Sequence, residues 1–142
     1  PLFQLLRNRP AVVGPARPWT AAASSFRRAA RVLGLVAPQD VPVDTEEHLG
    51  ALLLSTDPEA TSDLRKRVLE PLAGLPAASR TKLADTLRSW LLHQGRREEV
   101  AAELFIHPQT VRYRMTQLRG LYGDRLEDPG LVFELILALG PR

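Results

Sequence analysis

The sequence predicts a mainly α fold, in which a helical bundle carries a C-terminal helix-turn-helix and at most one short N-terminal β-strand. Three observations predict it. Apolar residues recur at helical spacing in most segments. Capping residues followed by apolar runs mark several helix starts. The run "AVV", residues 11–13, has the β-branched character of a strand, and a Gly-Pro turn signal follows it.

The composition is that of a globular protein of 142 residues, long enough for one ordinary domain or two small ones. The formal charge is +3, so a polyanionic partner is indicated only if the positive charge is clustered. Cysteine is absent, which excludes disulfides, thiolate metal sites and cysteine nucleophiles. No apolar run approaches the roughly 20 residues that span a bilayer, so we expect a cytoplasmic protein without a membrane partner. The chain begins at proline rather than methionine, so we expect a fragment of a longer protein.

The first elements are the strand and one helix. A single short strand is not stable alone, so "AVV" should pair with a partner chain or with a sheet outside this fragment. The segment "WTAAASSFRRAARVLGLV" predicts a helix with Thr20 as its cap and with Phe26, Ala30 and Leu33 on one face. Residues 37–43 contain two prolines and are interpreted as a linker.

Two helices are predicted in residues 44–78. Asp44 and Glu47, three residues apart before an apolar run, form a capping box. The second helix should begin after Thr56 or Asp57, with a proline in its first turn. Its apolar residues recur four apart, at Leu64, Val68 and Leu72.

The strongest helical periodicity lies at the start of residues 79–142. Its apolar face consists of Leu83, Leu87, Trp90 and Leu91. We expect Trp90 to be a core residue and Gly95 to end the helix. At the end of the chain, "EDPGLVFELILALG" predicts an acidic cap, a proline turn and a final apolar helix.

Two helices separated by a tight turn form the frame of a helix-turn-helix. The first should run from about residue 97 to 104 and the second from about residue 108 to 121. Ala101 is small enough for a close helix crossing, and Ile106 lies in the turn. The second helix carries one apolar stripe, which consists of Val111, Met115, Leu118 and Tyr122.

The opposite face of the second helix suits a DNA major groove. It presents Gln109, Arg112, Tyr113, Thr116 and Gln117, with Thr110 and Arg114 at its margins. Arginine can bind guanine in bidentate fashion, glutamine can bind adenine, and hydroxyl side chains can reach phosphates. His107 should cap this helix. No Asp or Glu occurs in residues 104–123, as expected where a carboxylate would meet phosphate charge.

The pattern alone leaves alternatives open. A basic amphipathic helix is also typical of a solvated surface or of a face that docks on an acidic protein. The apolar final helix and the unpaired strand favour a helical interaction or dimerisation module. Phe105 stands where many helix-turn-helix turns carry glycine, and a left-handed phenylalanine would cost roughly 1 kcal/mol or more.

Arg96 and Arg97 open the first helix of the motif, where cations oppose the helix dipole. This position indicates a phosphate partner, and a salt bridge to Glu99 or plain solvent exposure explains it equally well. The three histidines lie in different segments without metal-ligand spacing, and His93 is expected to contact carbonyls at its helix end. Phosphate-binding loops and catalytic elbows are missing. We therefore expect no metal, no cofactor and no enzymatic activity.

Three pieces of the sequence resemble one known domain. "TLRSWL" at residues 86–91, "VAAELFIHPQTVRYRM" at 100–115 and "GDRLEDP" at 123–129 are similar to the C-terminal helix-turn-helix domain of the PucR/CdaR family of bacterial transcription regulators. The resemblance covers residues 83–139, and "H-P-x-T-V-R-Y-R" is its most specific run. It implies that the second helix is a recognition helix and that the partner is double-stranded DNA. It also implies that Phe105 is acceptable in the turn, because family members often lack glycine there.

The resemblance implies DNA contacts from His107, Gln109, Thr110, Arg112, Tyr113 and Arg114. We also expect DNA contacts from Gln117, which lies on the same outer face, and from Arg96 and Arg97, which open the first motif helix and could meet phosphates. Residues 12–36 resemble the end of a GGDEF-like middle domain. Residues 1–43 would then be the remnant of that domain with its linker, residues 44–78 the connector helices and residues 79–142 the DNA-binding domain. An effector would bind an upstream region absent here, and we expect a homodimer, because a two-fold dimer brings two such motifs to two half-sites.

Overall fold

A computed structural model describes residues 2–37 and 40–140, and it is predominantly helical with one small sheet. The prediction of a mainly α fold is confirmed. The chain divides into two compact units, residues 1–56 and residues 57–142. The predicted division into three segments at 43/44 and 78/79 stays a prediction. Within the described residues, no helix combines the length and the apolar character needed to cross a membrane.

The first unit is built around a parallel β-α-β arrangement. Its elements are α1 Leu2–Leu5, β1 Val12–Val13, α2 Ala22–Leu33, β2 Val43–Asp44 and α3 Leu49–Leu54. Val12 is paired with Val43, and the Val43 N–H also donates a 2.8 Å hydrogen bond to the Ala11 carbonyl. The expectation that "AVV" needs a partner outside the chain was therefore wrong for this edge of β1. Its partner comes from the end of the segment interpreted as a linker.

The start of α2 differs from the prediction. Pro18 begins a 3₁₀ turn, Trp19–Ala21, in which the Ala21 N–H donates to the Pro18 carbonyl at 2.8 Å. The helix then begins at Ala22 without a side-chain cap, so the predicted capping role of Thr20 was wrong. The predicted inner face was also wrong, since Phe26, Ala30 and Leu33 are all exposed. Val32 is the fully buried residue of α2.

A small core holds the first unit together. Val32, Val43 and Leu52 are buried against one another, and Val12 and Val36 pack beside them. Asp44 accepts a 2.9 Å hydrogen bond from the Glu46 N–H and so caps the 3₁₀ turn Thr45–His48 that leads into α3. Asp44 is thus a cap as predicted, but it caps this turn through Glu46, and α3 itself begins after His48 without a side-chain cap.

The described part of the second unit contains five α-helices joined by short turns. Its elements are α4 Pro58–Val68, α5 Ala77–Leu92, α6 Arg97–Glu103, α7 Pro108–Tyr122 and α8 Pro129–Leu139. Asp57 caps α4 by accepting from the Ala60 N–H at 2.9 Å, which decides between Thr56 and Asp57. Asp128 caps α8 by accepting from the backbone N–H groups of Gly130 and Leu131.

The core of the second unit draws on all of these helices. Its buried side chains include Val68, Leu72, Leu83, Leu87, Val100, Val111, Met115, Leu118, Tyr122 and Leu135. The predicted apolar faces of α5 and α7 are confirmed, although Trp90 and Leu91 are only half-buried. α7 is thus held on one side by the core, and its other side is left exposed.

Two arginines fix the end of α8. Arg65 donates to the Ala138 carbonyl at 3.1 Å, and Arg88 donates through Nε to the Gly140 carbonyl at 2.9 Å. These guanidiniums satisfy carbonyl groups that a helix end leaves without intrahelical partners. Because Arg65 lies on α4 and Arg88 on α5, the apolar C-terminal helix is tied to both.

Candidate nucleic-acid interface

The two motif helices lie where the sequence predicts them. α6 spans Arg97–Glu103 and α7 spans Pro108–Tyr122, each within one residue of the expected limits. Ala101 is 4% exposed at the predicted close crossing, and the buried stripe of α7 contains the four predicted residues. Ile106 is half-buried in the turn and packs against this core.

The turn between α6 and α7 is left-handed at Phe105. This residue has a φ of 53°, and its side chain is 95% exposed. The Ile106 N–H donates a 3.0 Å hydrogen bond to the Ala101 carbonyl, which closes the C-terminus of α6. A phenylalanine therefore occupies the conformation that glycine adopts at least cost, with no compensating burial of its ring.

A polar cluster that the sequence did not predict ties α6 to α5. Glu103 accepts hydrogen bonds from Ser89 Oγ, from Arg88 Nη1 at 3.1 Å and from His93 Nε2 at 3.0 Å. The other ring nitrogen of His93 lies 2.9 Å from a carboxylate oxygen of Glu99. The expectation that His93 contacts helix-end carbonyls through its side chain was wrong. The partners come from another helix, so their positions in the sequence gave no signal.

The Ser89 hydrogen bond is the largest influence that lowers the pKa of the Glu103 carboxyl below its usual value. Partial burial opposes this effect, and the hydrogen bonds from Arg88 and His93 reinforce it. The carboxylate is therefore stabilised as an anion. It ties the first motif helix to α5.

The N-terminus of α7 is capped as predicted. His107 has an extended backbone, and its Nδ1 accepts a 3.1 Å hydrogen bond from the Gln109 N–H. Pro108 occupies the first turn, where its missing N–H costs no intrahelical hydrogen bond. The imidazole is exposed at the start of the helix, beside the face that follows.

The outer face of α7 is polar and exposed. It consists of Gln109, Arg112, Tyr113, Thr116 and Gln117. Tyr113 is 63% exposed, and its hydroxyl accepts a 3.1 Å hydrogen bond from Gln117 Nε2. The structure therefore brings these five predicted side chains together on one surface, which we call the outer face of α7.

Arg114 is placed differently. Its Nη1 donates a 3.1 Å hydrogen bond to the hydroxyl of Thr86, a fully buried residue of α5. Thr110 is also only partly exposed. Both lie at the margin of α7 rather than on its outer face, and the DNA contacts predicted for them stay predictions.

Arg96 and Arg97 both carry ion pairs at the start of α6. Arg96 Nη1 lies 2.9 Å from Glu99, and Arg97 Nη2 lies 3.2 Å from Glu98. The salt bridge to Glu99, one of the alternatives that the sequence left open, is thus present. Both side chains remain substantially exposed, so these pairs leave their outer surfaces accessible to solvent.

Arg119 is a further basic residue beside this surface that the sequence argument did not include. Its guanidinium carbon lies 5.7 Å from the centre of the Trp90 ring. Together with Arg97 and Arg112 it lines a cleft next to the outer face of α7. Its spacing of seven residues from Arg112 was a usable signal, since two helical turns return a side chain to nearly the same side.

An α6-turn-α7 pair with a buried inner stripe and an exposed polar outer face defines the class of helix-turn-helix domains. Residues 83–140 match the PucR C-terminal helix-turn-helix domain family. Residues 83–140 therefore form a helix-turn-helix domain of the PucR C-terminal type, as the sequence predicted.

Curated relatives are similar over all or part of this chain. An uncharacterized protein in the pkwA 5′ region of Thermomonospora curvata is 46% identical over 77 residues, which are 54% of this chain and 41% of that protein. An uncharacterized protein of Mycobacterium tuberculosis H37Rv is 34% identical over 143 residues, covering 96% of this chain and 33% of that protein. The Bacillus subtilis protein YsfB is 29% identical over 108 residues, covering 73% of this chain and 28% of that protein. The chain thus spans well under half the length of each.

Proposed function

We propose that this chain binds specific DNA sequences as part of a transcription regulator, with α7 as the recognition helix in the major groove. The observation that carries the proposal is the two-sided character of α7. Val111, Met115, Leu118 and Tyr122 are all at most 3% exposed, and the opposite side is polar and basic. No Asp or Glu occurs on or beside it in residues 104–123. A helix that binds a polyanion has a reason to exclude carboxylates, and a solvated helix has none.

The chemistry of the outer face supports base recognition. Arg112 can donate two hydrogen bonds to guanine, and Gln109 can pair with adenine. Tyr113 and Gln117, joined by their hydrogen bond, restrict each other's rotamers, so less conformational entropy is lost when either binds DNA. The family resemblance implies further contacts from His107, Thr110 and Arg114, although the Arg114 guanidinium is bonded to Thr86. Arg96 and Arg97 would meet phosphates.

The decisive experiment is selection of bound sequences from a random duplex pool by the 142-residue chain, followed by fluorescence anisotropy with the selected duplex. Arg112→Ala and Tyr113→Ala should each weaken binding by roughly 1–3 kcal/mol if they contact bases. Arg80→Ala is a matched control, because Arg80 is an exposed arginine ten residues before Trp90 on α5, about 15 Å along the helix. Failure to enrich any sequence would contradict the proposal. Unchanged binding of the selected duplex by both variants would contradict it as well.

The proposal includes a homodimer and an effector bound elsewhere in the protein. Two helix-turn-helix motifs related by a two-fold axis recognise half-sites one helical turn apart or a multiple of it. The selected sequences should therefore be inverted repeats at such a spacing. Because bacterial DNA lies in the cytoplasm, the proposal places the protein there. The greater length of the relatives supports a further region that binds the effector.

The segment of residues 1–43 is proposed to be the end of a GGDEF-like domain with its linker, for which the parallel β1-α2-β2 arrangement gives support. It has no assigned chemistry in this proposal, and the regulator is not proposed to catalyse a reaction. Limited proteolysis of the longer parent protein would test the assignment. A stable fragment that ends after β2 supports it, and a cleavage site between β1 and β2 contradicts it.

A second candidate function is a helical interaction module. Phe133 and Ile136 are exposed on α8 at 63% and 39%, as an apolar docking face would require. Sedimentation of the 142-residue chain with and without duplex separates the two functions. Self-association that Phe133→Ser abolishes, combined with no duplex binding, favours the module.

A further inference from the structure

A cleft beside the outer face of α7 is lined mainly by arginine. It has a volume of about 440 Å³ and lies between the end of α5, the start of α6 and one side of α7. Its lining residues are Trp90, Arg97, Glu98, Arg112, Met115 and Arg119. Three guanidiniums thus share the cleft with a single carboxylate, which leaves an excess of positive charge.

That excess is not neutralised within the described part of the chain. Glu98 is paired with Arg97, at 3.2 Å. Across residues 2–37 and 40–140, Arg112 and Arg119 form no ion pair of 4 Å or less. Two guanidiniums that face a common open space without an anion form a site that an external anion can fill.

Trp90 positions one of these guanidiniums. The Arg119 guanidinium carbon lies 5.7 Å from the centre of the indole, within the range of a cation–π contact. The ring packs closely on Gly95, where an added Cβ would lie 3.2 Å from Trp90 Cζ2. The φ of Gly95 is +78°, so both the backbone conformation and the close approach of the ring favour glycine here. Arg119 therefore lies over a ring that packs against the turn after α5.

The location of the cleft identifies the anion. A helix with its side chains is about 10–12 Å across, close to the roughly 12 Å width of the major groove. Side chains that flank the base-facing surface of such a helix meet the phosphate backbones at the groove edges. Arg112 forms one edge of the outer face, and Arg119 lies two helical turns further along α7 on the flank next to that edge.

The two flanks of α7 are not equivalent. On the other flank Arg114 donates to the buried hydroxyl of Thr86, so its guanidinium is directed toward α5. Free guanidiniums are therefore concentrated on the flank of Arg112 and Arg119. A duplex bound to the outer face should be contacted more strongly on that side.

We propose that this cleft is a binding site for a DNA backbone phosphodiester, with Arg119 on the Trp90 ring as its principal donor. The inference rests on the proposed function and extends it, because Arg119 lies outside the set of side chains predicted to contact DNA. A phosphate contact fixes the register of the recognition helix and carries no sequence information of its own. Arg119 should thus add affinity for every duplex, and Trp90 is its positioning residue.

The test is anisotropy of the 142-residue chain with a random-sequence duplex and with the selected duplex over a range of salt concentrations. Loss of one phosphate contact lowers the slope of log affinity against log salt by about 0.9, which corresponds to roughly eightfold weaker binding near 0.1 M salt. Arg119→Ala should show this loss with both duplexes, and the loss should shrink as salt rises. Arg80→Ala removes the same charge from α5 and should leave both affinities and slopes nearly unchanged.

The role of Trp90 is tested by a double-mutant cycle. Trp90→Leu should weaken binding in the wild-type background and add little in the Arg119→Ala background, whereas Trp90→Phe should keep most of the affinity. If the ring had a purely structural role, Trp90→Leu would weaken DNA binding equally in both backgrounds. Thermal unfolding followed by circular dichroism identifies any variant that fails to fold, and Arg119, which is exposed, gives a test independent of Trp90.

The outcomes are separable. Equal behaviour of Arg119→Ala and Arg80→Ala would overturn the phosphate site and leave the proposed function intact. A loss confined to the selected duplex, with an unchanged salt slope, would assign Arg119 to a base and would also overturn it. A wild-type chain that binds neither duplex would overturn the proposed function itself.

Discussion

The hydroxyl of Tyr122, at the end of α7, donates a 2.8 Å hydrogen bond to the backbone carbonyl of Val68, at the end of α4. Tyr122 is 3% exposed, and Val68 is 2% exposed. The contact joins the last residue of α7 to the end of α4, which lies 54 residues earlier in the sequence. It fixes the C-terminal end of α7 while leaving its outer face free.

Tyr122→Phe should destabilise the second unit by about 1 kcal/mol, because a buried carbonyl loses its hydrogen-bond donor. Urea unfolding at neutral pH measures this difference. The matched control is Tyr113→Phe, since Tyr113 is exposed and its hydroxyl bonds only to exposed Gln117. Equal stability of Tyr122→Phe and the wild type would show that the bond makes no net contribution.

The same tyrosine should make stability fall at alkaline pH. Burial raises the pKa of Tyr122 from 10.0 to about 12. The neutral phenol is favoured in the folded state, so its contribution is complete below pH 10 and is lost as pH rises toward about 12. Tyr122→Phe should remove this dependence. Spectroscopic titration of the phenol in Tyr113→Phe, where Tyr122 is the remaining tyrosine, checks the shift directly.

Glu103 should make stability fall at acid pH. Its pKa is lowered from the usual 4.5, chiefly by the Ser89 hydrogen bond. A lowered folded-state pKa means that this stabilisation is present above pH 4.5 and is lost as pH falls through the folded-state pKa. Glu103→Gln should therefore be less stable than the wild type at neutral pH, and the gap should narrow on acidification. A difference in unfolding free energy between the two proteins that does not change with pH would contradict this account.

Phe105→Gly should stabilise the motif by about 1 kcal/mol. The residue has a φ of 53°, and its exposed ring loses almost no burial when removed. Phe105→Ala is the control, because alanine removes the ring and keeps the Cβ that causes the strain. Thermal unfolding of the three proteins ranks them. If alanine stabilises as much as glycine, ring exposure rather than backbone strain is the cause.

Arg114→Met should change stability more than DNA affinity. The Arg114 guanidinium donates to Thr86, and its loss removes a hydrogen bond worth roughly 0.5–1.5 kcal/mol. The family resemblance instead places this arginine on DNA. Paired measurements of unfolding and of anisotropy decide between the two roles, because a tenfold loss of affinity with unchanged stability would favour the DNA contact.

Much of the candidate site could be predicted from local sequence. The stripe Val111, Met115, Leu118 and Tyr122 follows from helical periodicity, and the acid-free outer face follows from composition over the same residues. His107 was identified as a cap, and the cap of α4 was narrowed to Thr56 or Asp57, because a side chain that caps a helix lies next to the N–H groups it accepts from. These features depend on neighbours within one or two helical turns.

Features that depend on distant residues were missed or misplaced. The α2 face containing Phe26 and Leu33 has the spacing of a buried face, yet Val32 is the residue that meets β2 and α3. Periodicity gives the faces of a helix but not the one that a partner covers. For the same reason the partner of β1 was sought outside the chain, although Val43 supplies it.

The sequence by itself determined the helix-turn-helix, the two faces of α7, the family of residues 83–140 and the His107 cap. Only the tertiary structure decided which charged side chains remain available on those faces. It directs Arg114 to Thr86, places His93 between two carboxylates and sets Arg119 on Trp90. The physical reason is the distance along the sequence over which each effect acts. Periodicity and capping act within a few residues, whereas the partner of a charge is set by helices that meet only after the chain has folded.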